Sequence, residues 1–165
     1  MSDKLRQVVF SREHVEAVAG LECGEEAWCK AQSQWITTDA VFESMSARET
    51  SVWLFFNEAN ELVGYGALGG TRRPHPPGTS GYKNLSVIPS LAVKRQFWGR
   101  PKDGIQYSHQ ILASLILEAK KRSPTMLILD VDSLNTHAIA LYCEFGFEDV
   151  GPARMNGQRR MSVNL

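Results

Sequence analysis

Residues 135–147 read Asn-Thr-His-Ala-Ile-Ala-Leu-Tyr-Cys-Glu-Phe-Gly-Phe, and this stretch decides the fold. Apolar side chains recur in it at the spacing of one helical face: Ala138, Leu141, Tyr142 and Phe145. Gly146 then ends the helix, because glycine readily adopts the left-handed conformation in which many helices terminate. The stretch therefore predicts a helix from Asn135 to Phe145, followed by a closing hairpin of residues 147–150 and 159–163.

A strand, a helix and another strand precede this stretch. Residues 126–131 and residues 84–93 have the composition of buried strands, and apolar residues recur on one helical face from Ile111 to Ala119. A strand–helix–strand unit requires parallel neighbours and a right-handed crossover. The sequence therefore predicts a parallel strand pair in the middle of the sheet.

Pro89 lies in the middle of the predicted strand 84–93. Proline has no N–H for a sheet ladder, so this strand should be bulged there and should splay away from its parallel neighbour. Splaying leaves backbone N–H and C=O groups facing a cleft. An extended ligand with its own amides, such as the pantetheine arm of coenzyme A, can complete those bonds as an added strand does.

The two ends of the chain supply antiparallel pairs. Near the N-terminus the sequence predicts, in order, a strand at residues 8–10, a helical stretch at residues 25–45 broken by Ser33, Thr37 and Thr38, and a hairpin of residues 51–56 and 61–68. We therefore expect a mixed α/β fold: a mostly antiparallel sheet with a central splayed parallel strand pair and helices on both faces. The length fits a single domain over residues 1–165.

The composition is that of a soluble globular protein, with 43% hydrophobic and 22% charged residues. The formal net charge is zero, which disfavours a nucleic-acid partner because phosphate contacts need a basic excess. The three cysteines form no regular framework and indicate free thiols and no metal site. Without a signal peptide or an apolar span, we expect a cytoplasmic protein with no membrane partner. The tryptophans are interpreted as core or interface residues, and a homodimer is expected as the commonest assembly.

The loop before the central helix is a candidate anion site. It reads Gly99-Arg100-Pro101-Lys102-Asp103-Gly104 and leads to a helix that begins near Ser108. A helix N-terminus presents N–H groups and a positive dipole end, and the two basic side chains add charge, so the segment suits a pyrophosphate. A plain surface connection is the alternative.

The opening stretch closely resembles the helix and following strand of the GNAT superfamily of N-acetyltransferases, in its Asn, Ala-Ile, Leu-Tyr and Gly-Phe positions. Leu91-Ala92-Val93 is similar to that family's acetyl-CoA-binding strand. The resemblance implies an enzyme that moves an acetyl group from acetyl-CoA to a primary amine of a small molecule or peptide. It implies that Tyr142 protonates the departing thiolate, since a thiolate leaves more easily when protonated. The cofactor-binding residues it implies are Leu91, Ala92, Val93, Gly99, Arg100, Lys102, Gly104, Ser108, Asn135 and Tyr142.

Two departures from the family pattern leave alternatives open. The family's compact Gln/Arg-x-x-Gly-x-Gly/Ala loop is longer here, and Ser108 stands where the second glycine would be. Strand 84–93 carries no carboxylate, although many relatives place a general base there. The amine's proton could go to Asp130 or a water chain, or the amine could arrive neutral.

Structural interpretations stand beside the catalytic ones. Tyr142 could be a core aromatic with its hydroxyl bonded to backbone, and Asn135 could be only a helix N-cap. His75 is interpreted as a solvated loop histidine. Two other functions remain: a CoA-binding regulatory module without turnover, and a toxin-like acetyltransferase of aminoacyl-tRNA. The basic rim that such a toxin would need could come from Arg72, Arg73, Arg154, Arg159 and Arg160.

Overall fold

The structure is a computed structural model that describes residues 4–22, 34–70, 85–99, 106–153 and 155–165. Its strands are β1 (Arg6–Val9), β2 (Thr50–Phe56), β3 (Leu62–Gly70), β4 (Leu85–Ile88), β5 (Leu91–Val93), β6 (Met126–Asp132), β7 (Glu148–Pro152) and β8 (Gln158–Asn164). Its helices are α1 (Val15–Ala19), α2 (Asp39–Ser46), α3 (Tyr107–Lys121) and α4 (Thr136–Glu144), with 3-10 turns at Arg12–His14 and Arg95–Phe97. Over these ranges, no helix is both long and apolar enough to cross a membrane.

The strands form a mixed sheet in the order β1-β2-β3-β4-β6-β8-β7, and β5 lies off this path, paired with β3. β4 and β6 run parallel, with Leu85 opposite Met126 and Ile88 opposite Leu129. β1–β2, β3–β4, β3–β5, β6–β8 and β7–β8 are antiparallel. The predicted fold class, a mostly antiparallel sheet with a parallel pair inside it, is confirmed.

The observed boundaries of the N-terminal elements differ in detail from the predicted ones. β1 ends at Val9, one residue before the predicted end at Phe10, although the Phe10 N–H still donates to the Val52 carbonyl at 2.9 Å and its buried ring stacks on Phe42 at 5.2 Å. The break predicted in the helical stretch is present at Thr38, whose side chain accepts a hydrogen bond from the Val41 N–H and caps α2. The N-terminal part of that stretch, residues 25–33, lies outside the described residues.

The contacts divide the chain into two compact units: Met1–Ala67 with Ser90–Leu115, and Leu68–Pro89 with Ile116–Leu165. Strand β3 and helix α3 each continue from one unit into the other. The single domain expected for residues 1–165 stays a prediction.

In the first unit, helices cover both faces of the sheet. One face contributes to a buried cluster with α1 and α2, whose members include Val18, Val41, Leu54, Tyr65, Ala67 and Ala92. Gly66 lies on the opposite face of β3, because successive strand residues alternate. A Cβ added at Gly66 would lie 2.8 Å from the Leu115 side chain of α3, so α3 packs closely on this second face.

Pro89 and Ser90 divide the predicted strand 84–93 into two strands, which both pair antiparallel with β3 although only the first also pairs with β6. Before the break, β4 forms the parallel ladder with β6. After it, β5 pairs antiparallel with β3. Ser90 secures the break, since its hydroxyl hydrogen-bonds the buried Tyr65 hydroxyl at 2.9 Å and its carbonyl accepts from the Ala67 N–H at 3.0 Å. The expected bulge is thus a one-residue shift of register against β3, and the expected splay is the end of the β6 pairing at a residue that has no N–H.

Gly64 should be essential for the β3–β5 pairing. A Cβ at Gly64 would lie 2.1 Å from the Ala92 carbonyl oxygen, whereas a Cβ at Gly69, on the same strand, would meet nothing within 4 Å. Because backbone cannot shift as a side chain can, we expect Gly64→Ala to lower the free energy of unfolding by on the order of 2–4 kcal/mol. Gly69→Ala should change it by about 0.5 kcal/mol or less. Urea unfolding of the two variants checks this, and equal midpoints would contradict it.

Candidate active site

β5 has one edge paired with β3 and another edge directed away from it. Two hydrogen bonds flank the pairing: Ala67 N–H to the Ser90 carbonyl at 3.0 Å, and Lys94 N–H to the Val63 carbonyl at 2.7 Å. Bonded and non-bonded residue pairs alternate in an antiparallel ladder. Ala92 therefore bonds to β3, whereas Leu91 and Val93 direct their N–H and C=O groups to the outer edge.

Three of the four groups on this outer edge are available to a ligand. The Val93 carbonyl accepts a hydrogen bond from the Trp98 indole N–H at 2.8 Å. The Leu91 N–H, the Leu91 carbonyl and the Val93 N–H pair with no other residue in the part of the chain that the structure describes. Of the three residues that the resemblance assigns to the cofactor arm, Ala92 differs, because its backbone groups face β3 instead.

The N-terminus of α3 belongs to the same unit. α3 begins at Tyr107, so the half-buried Ser108 lies in its first turn. The N–H groups of a first helical turn have no acceptor within the helix, and the helix dipole makes this end favourable for an anion. Gly99 has φ +92°, a left-handed value that favours glycine. The other loop residues assigned to phosphate, Arg100, Lys102 and Gly104, lie outside the described residues.

Tyr142 lies on α4 in the second unit and is 9% exposed. Its ring centroid is 5.8 Å from that of Phe147. Burial raises the pKa of Tyr142 to about 12, so the phenol keeps its proton at neutral pH. Its hydroxyl makes no hydrogen bond to the described residues, so the alternative of a hydroxyl bonded to backbone has no support there. The group is suited to giving a proton rather than taking one.

Asn135 is the N-cap of α4. Its side-chain oxygen accepts a hydrogen bond from the Ala138 N–H at 3.2 Å. This is the structural role that the sequence left as an alternative. The cap uses only the oxygen, so the amide Nδ2 can still donate to a ligand.

Arg159 and Arg160 are adjacent in β8 and therefore point to opposite faces of the sheet. Arg160 donates to both carboxylate oxygens of Asp130 at 2.8 Å each. Arg159 does the same to Asp149, also at 2.8 Å. Hydrogen bonds from Arg159, and secondarily from the Gly151 N–H, hold the pKa of Asp149 below its usual value. These two arginines thus do not form a common basic rim, and Arg72, Arg73 and Arg154 lie outside the described residues.

The sequence interpretation missed two residues that shape the β5 edge. Trp98 was grouped with the other tryptophans, although it directly precedes the glycine of the basic loop. Its indole, 55% exposed, reaches back to Val93. Gly64 carried no distinguishing signal, because a glycine in a strand marks a close backbone approach only once its partner strand is known.

No protein-family model matches the chain, and no curated protein matches it by sequence. Solved structures match it over 98–99% of its length, and several of them are described as acetyltransferases. PaiA N-acetyltransferase from Thermoplasma acidophilum, in complex with coenzyme A, aligns with a TM-score of 0.70 at 14% identity over 98% of this chain and 99% of that chain. A GNAT-family acetyltransferase from Staphylococcus aureus aligns with a TM-score of 0.68 at 13% identity over 98% and 99% of the two chains.

A third structure is a tyrosine-to-phenylalanine mutant of the AtaT toxin, bound to the C-terminus of the antitoxin AtaR and to acetyl-CoA. It aligns with a TM-score of 0.64 at 16% identity over 98% of this chain and 94% of that chain. At such low identity the likeness concerns the fold. The protein has the fold of the GNAT acetyltransferases, as the resemblance of residues 135–147 predicted.

The buried tyrosines should ionise late. Burial raises the pKa of Tyr65 and of Tyr142 from 10.0 to about 12. In a spectrophotometric alkaline titration, the phenol lost in Tyr142→Phe should therefore be one that ionises near pH 12 in the folded parent protein. Because the fold holds these protons more tightly than the unfolded chain, the free energy of unfolding should fall as pH rises from 10 towards 12. Circular dichroism at each pH is the control, and a difference spectrum centred near pH 10 in folded protein would contradict the assignment.

Proposed function

We propose that this protein is an N-acetyltransferase that transfers the acetyl group of acetyl-CoA to a primary amine of a small molecule or peptide. The observation that supports it most strongly is the outer edge of β5. There, Leu91 and Val93 offer two N–H donors and one C=O acceptor to an extended ligand. The pantetheine arm, with its amides, has the complementary groups. The shared fold with acetyltransferases solved with coenzyme A or acetyl-CoA supports the same ligand.

The first turn of α3 is proposed to receive the pyrophosphate. Ser108 lies in that turn, and its backbone N–H and hydroxyl are groups that bind phosphate oxygens. Gly99, Arg100, Lys102 and Gly104 are the loop residues proposed to complete the site. Acetyl-CoA is thus a cosubstrate bound through its amides at β5 and its phosphates at α3.

Tyr142 is proposed as the general acid. The amine nitrogen attacks the thioester carbonyl, the C–S bond breaks, and the leaving sulfur takes the proton of the Tyr142 hydroxyl. Burial raises the pKa of Tyr142 to about 12, so the hydroxyl is protonated at neutral pH. To give its proton, the hydroxyl must lie within hydrogen-bond reach of the leaving sulfur, and solvent restores the proton afterwards.

Asp130 is a poor candidate for the group that takes the amine's proton. Both of its oxygens accept charge-assisted hydrogen bonds from Arg160. Both carboxylate oxygens are therefore already occupied by Arg160, which is only 6% exposed. We propose that the amine reacts in its neutral form or loses its proton to water.

A toxin-like acetyltransferase of aminoacyl-tRNA is the second candidate, and a structure described as a toxin bound to acetyl-CoA has the same fold. The pairing of Arg159 and Arg160 with aspartates removes two of the five arginines that could have formed a basic rim. With a net charge of zero, a small amine acceptor is favoured.

Release of free CoA thiol from acetyl-CoA in the presence of a panel of amines tests the proposed function. Tyr142→Phe keeps the ring but removes the donor, so the transfer rate should fall by a factor on the order of 10²–10⁴. Acetyl-CoA affinity, measured by calorimetry, and the unfolding midpoint should change little, because the hydroxyl makes no hydrogen bond to the described residues. Cys143→Ala, an exposed neighbour on the same helix, is the matched control and should leave the rate unchanged.

Three results would count against the proposal in different ways. A parent protein that binds acetyl-CoA but releases no thiol with any amine or charged tRNA is a binding module. One that releases thiol only with charged tRNA has the acceptor of the second candidate. A Phe variant as fast as the parent, with chemistry rate-limiting, excludes Tyr142 as the acid.

Two substitutions at Asn135 separate its cap from its proposed contact with the cofactor arm. Asn135→Asp keeps an oxygen for the Ala138 N–H but loses the amide donor. It should keep the unfolding midpoint and weaken acetyl-CoA binding. Asn135→Ala should in addition lower the free energy of unfolding by about 1 kcal/mol. Calorimetry measures the affinity for acetyl-CoA, and thermal unfolding measures the stability. If Asn135→Asp binds acetyl-CoA as tightly as the parent protein does, Asn135 serves only as the N-cap of α4.

A further inference from the structure

Trp98 is both exposed and fixed in place. Its exposed fraction is 55%, and Trp98 is the only aromatic residue among the exposed large apolar side chains of the described residues. Its indole N–H donates to the Val93 carbonyl at 2.8 Å, so the ring does not rotate freely in solvent. A large apolar ring held at the surface by a backbone hydrogen bond is typical of a residue that contacts a binding partner.

After β5 the chain turns so that the Trp98 side chain lies against the end of that strand. After Val93 it makes the 3-10 turn Arg95–Phe97, closed by the Trp98 N–H, which donates to the Arg95 carbonyl at 3.1 Å. The neighbouring Phe97 ring meets the Tyr107 ring edge-on at 5.7 Å, which ties this turn to the first residue of α3. Trp98 is therefore tied on one side to the end of the β5 edge and, through its neighbour, to the start of α3.

The Trp98 indole also occupies the last of the four backbone groups on the outer edge of β5. In chain order the outer edge presents the Leu91 N–H, the Leu91 carbonyl and the Val93 N–H, whereas the Val93 carbonyl is already used by Trp98. A ligand chain paired along this edge finds donor, acceptor and donor. At the position of the fourth group it meets the indole.

We propose that Trp98 is a binding residue for the acyl-carrying chain of the cosubstrate, with its indole packed against the chain at the Val93 end of β5. The inference rests on the proposed function, because it takes acyl-CoA as the occupant of that edge. Burying the exposed part of the ring removes apolar surface from water. The hydrogen bond to Val93 limits the conformational entropy lost on binding, because the ring is ordered beforehand.

The test compares two probes, acetyl-CoA and S-acetylpantetheine, which keeps the acyl-carrying chain but has no nucleotide and no phosphates. Calorimetric affinities are measured for the parent protein, Trp98→Ala, Trp98→Phe and, as control, Leu134→Ala. Leu134 is an exposed apolar residue of the second unit, 86% exposed. Trp98→Ala should weaken both probes by a similar factor, on the order of 10, as expected for an aromatic contact residue. Trp98→Phe should weaken them less, because it keeps a ring, and Leu134→Ala should have no effect.

Each of the other outcomes overturns the proposal. Unchanged affinity in Trp98→Ala means that the indole does not touch the ligand. Tighter binding means that the indole competes for the edge, and weakening of acetyl-CoA alone means that it serves the nucleotide. In all three cases the parent protein still binds acetyl-CoA, so the ligand that the proposed function requires is kept and only the role of Trp98 fails. A parent protein that binds neither probe overturns both inferences together.

Discussion

Pro89 has no N–H to give to a sheet, and at Pro89 the chain leaves the parallel ladder that β4 forms with β6. The next strand, β5, keeps only the antiparallel partner β3, which it shares with β4. The Tyr65–Ser90 hydrogen bond, buried at the break, holds the chain in its new course. From the end of the parallel pairing follow the outer edge of Leu91 and Val93 and the backbone contacts proposed for the cosubstrate arm.

The close approach of β3 and β5 requires a glycine at residue 64. Because the Ala92 carbonyl faces β3, it occupies the space that a side chain at residue 64 would need. Gly64 and Pro89, although 25 positions apart in the sequence, thus both determine where β5 lies. Pro89 has no N–H and Gly64 has no side chain. Together they position the three-residue strand β5 with one edge paired to β3 and the other edge unpaired among the described residues.

Much of the fold could be predicted, because periodicity, a strand–helix–strand unit and the pattern of residues 135–147 report local structure. The interruption of strand 84–93 could be predicted as well, since proline acts through its own backbone. What could not be predicted depends on register across strands. The turning of Ala92 towards β3, and of Leu91 and Val93 away from it, follows from hydrogen bonds to β3. The partners of the two arginines depend on register too, since Arg160 lies directly opposite Asp130, whereas Arg159 reaches diagonally to Asp149, which lies opposite Met161.

An exposed strand edge carries a hazard, because unpaired backbone groups can template pairing with another chain and so seed aggregation. The β5 edge is protected against this by being short. It has three residues, and the Trp98 indole blocks the carbonyl at one end. A strand from another protein would find too few groups for a stable ladder, whereas a small flexible molecule needs only those few. The short length of β5 thus lets the protein keep this unpaired edge without a tendency to self-associate through it.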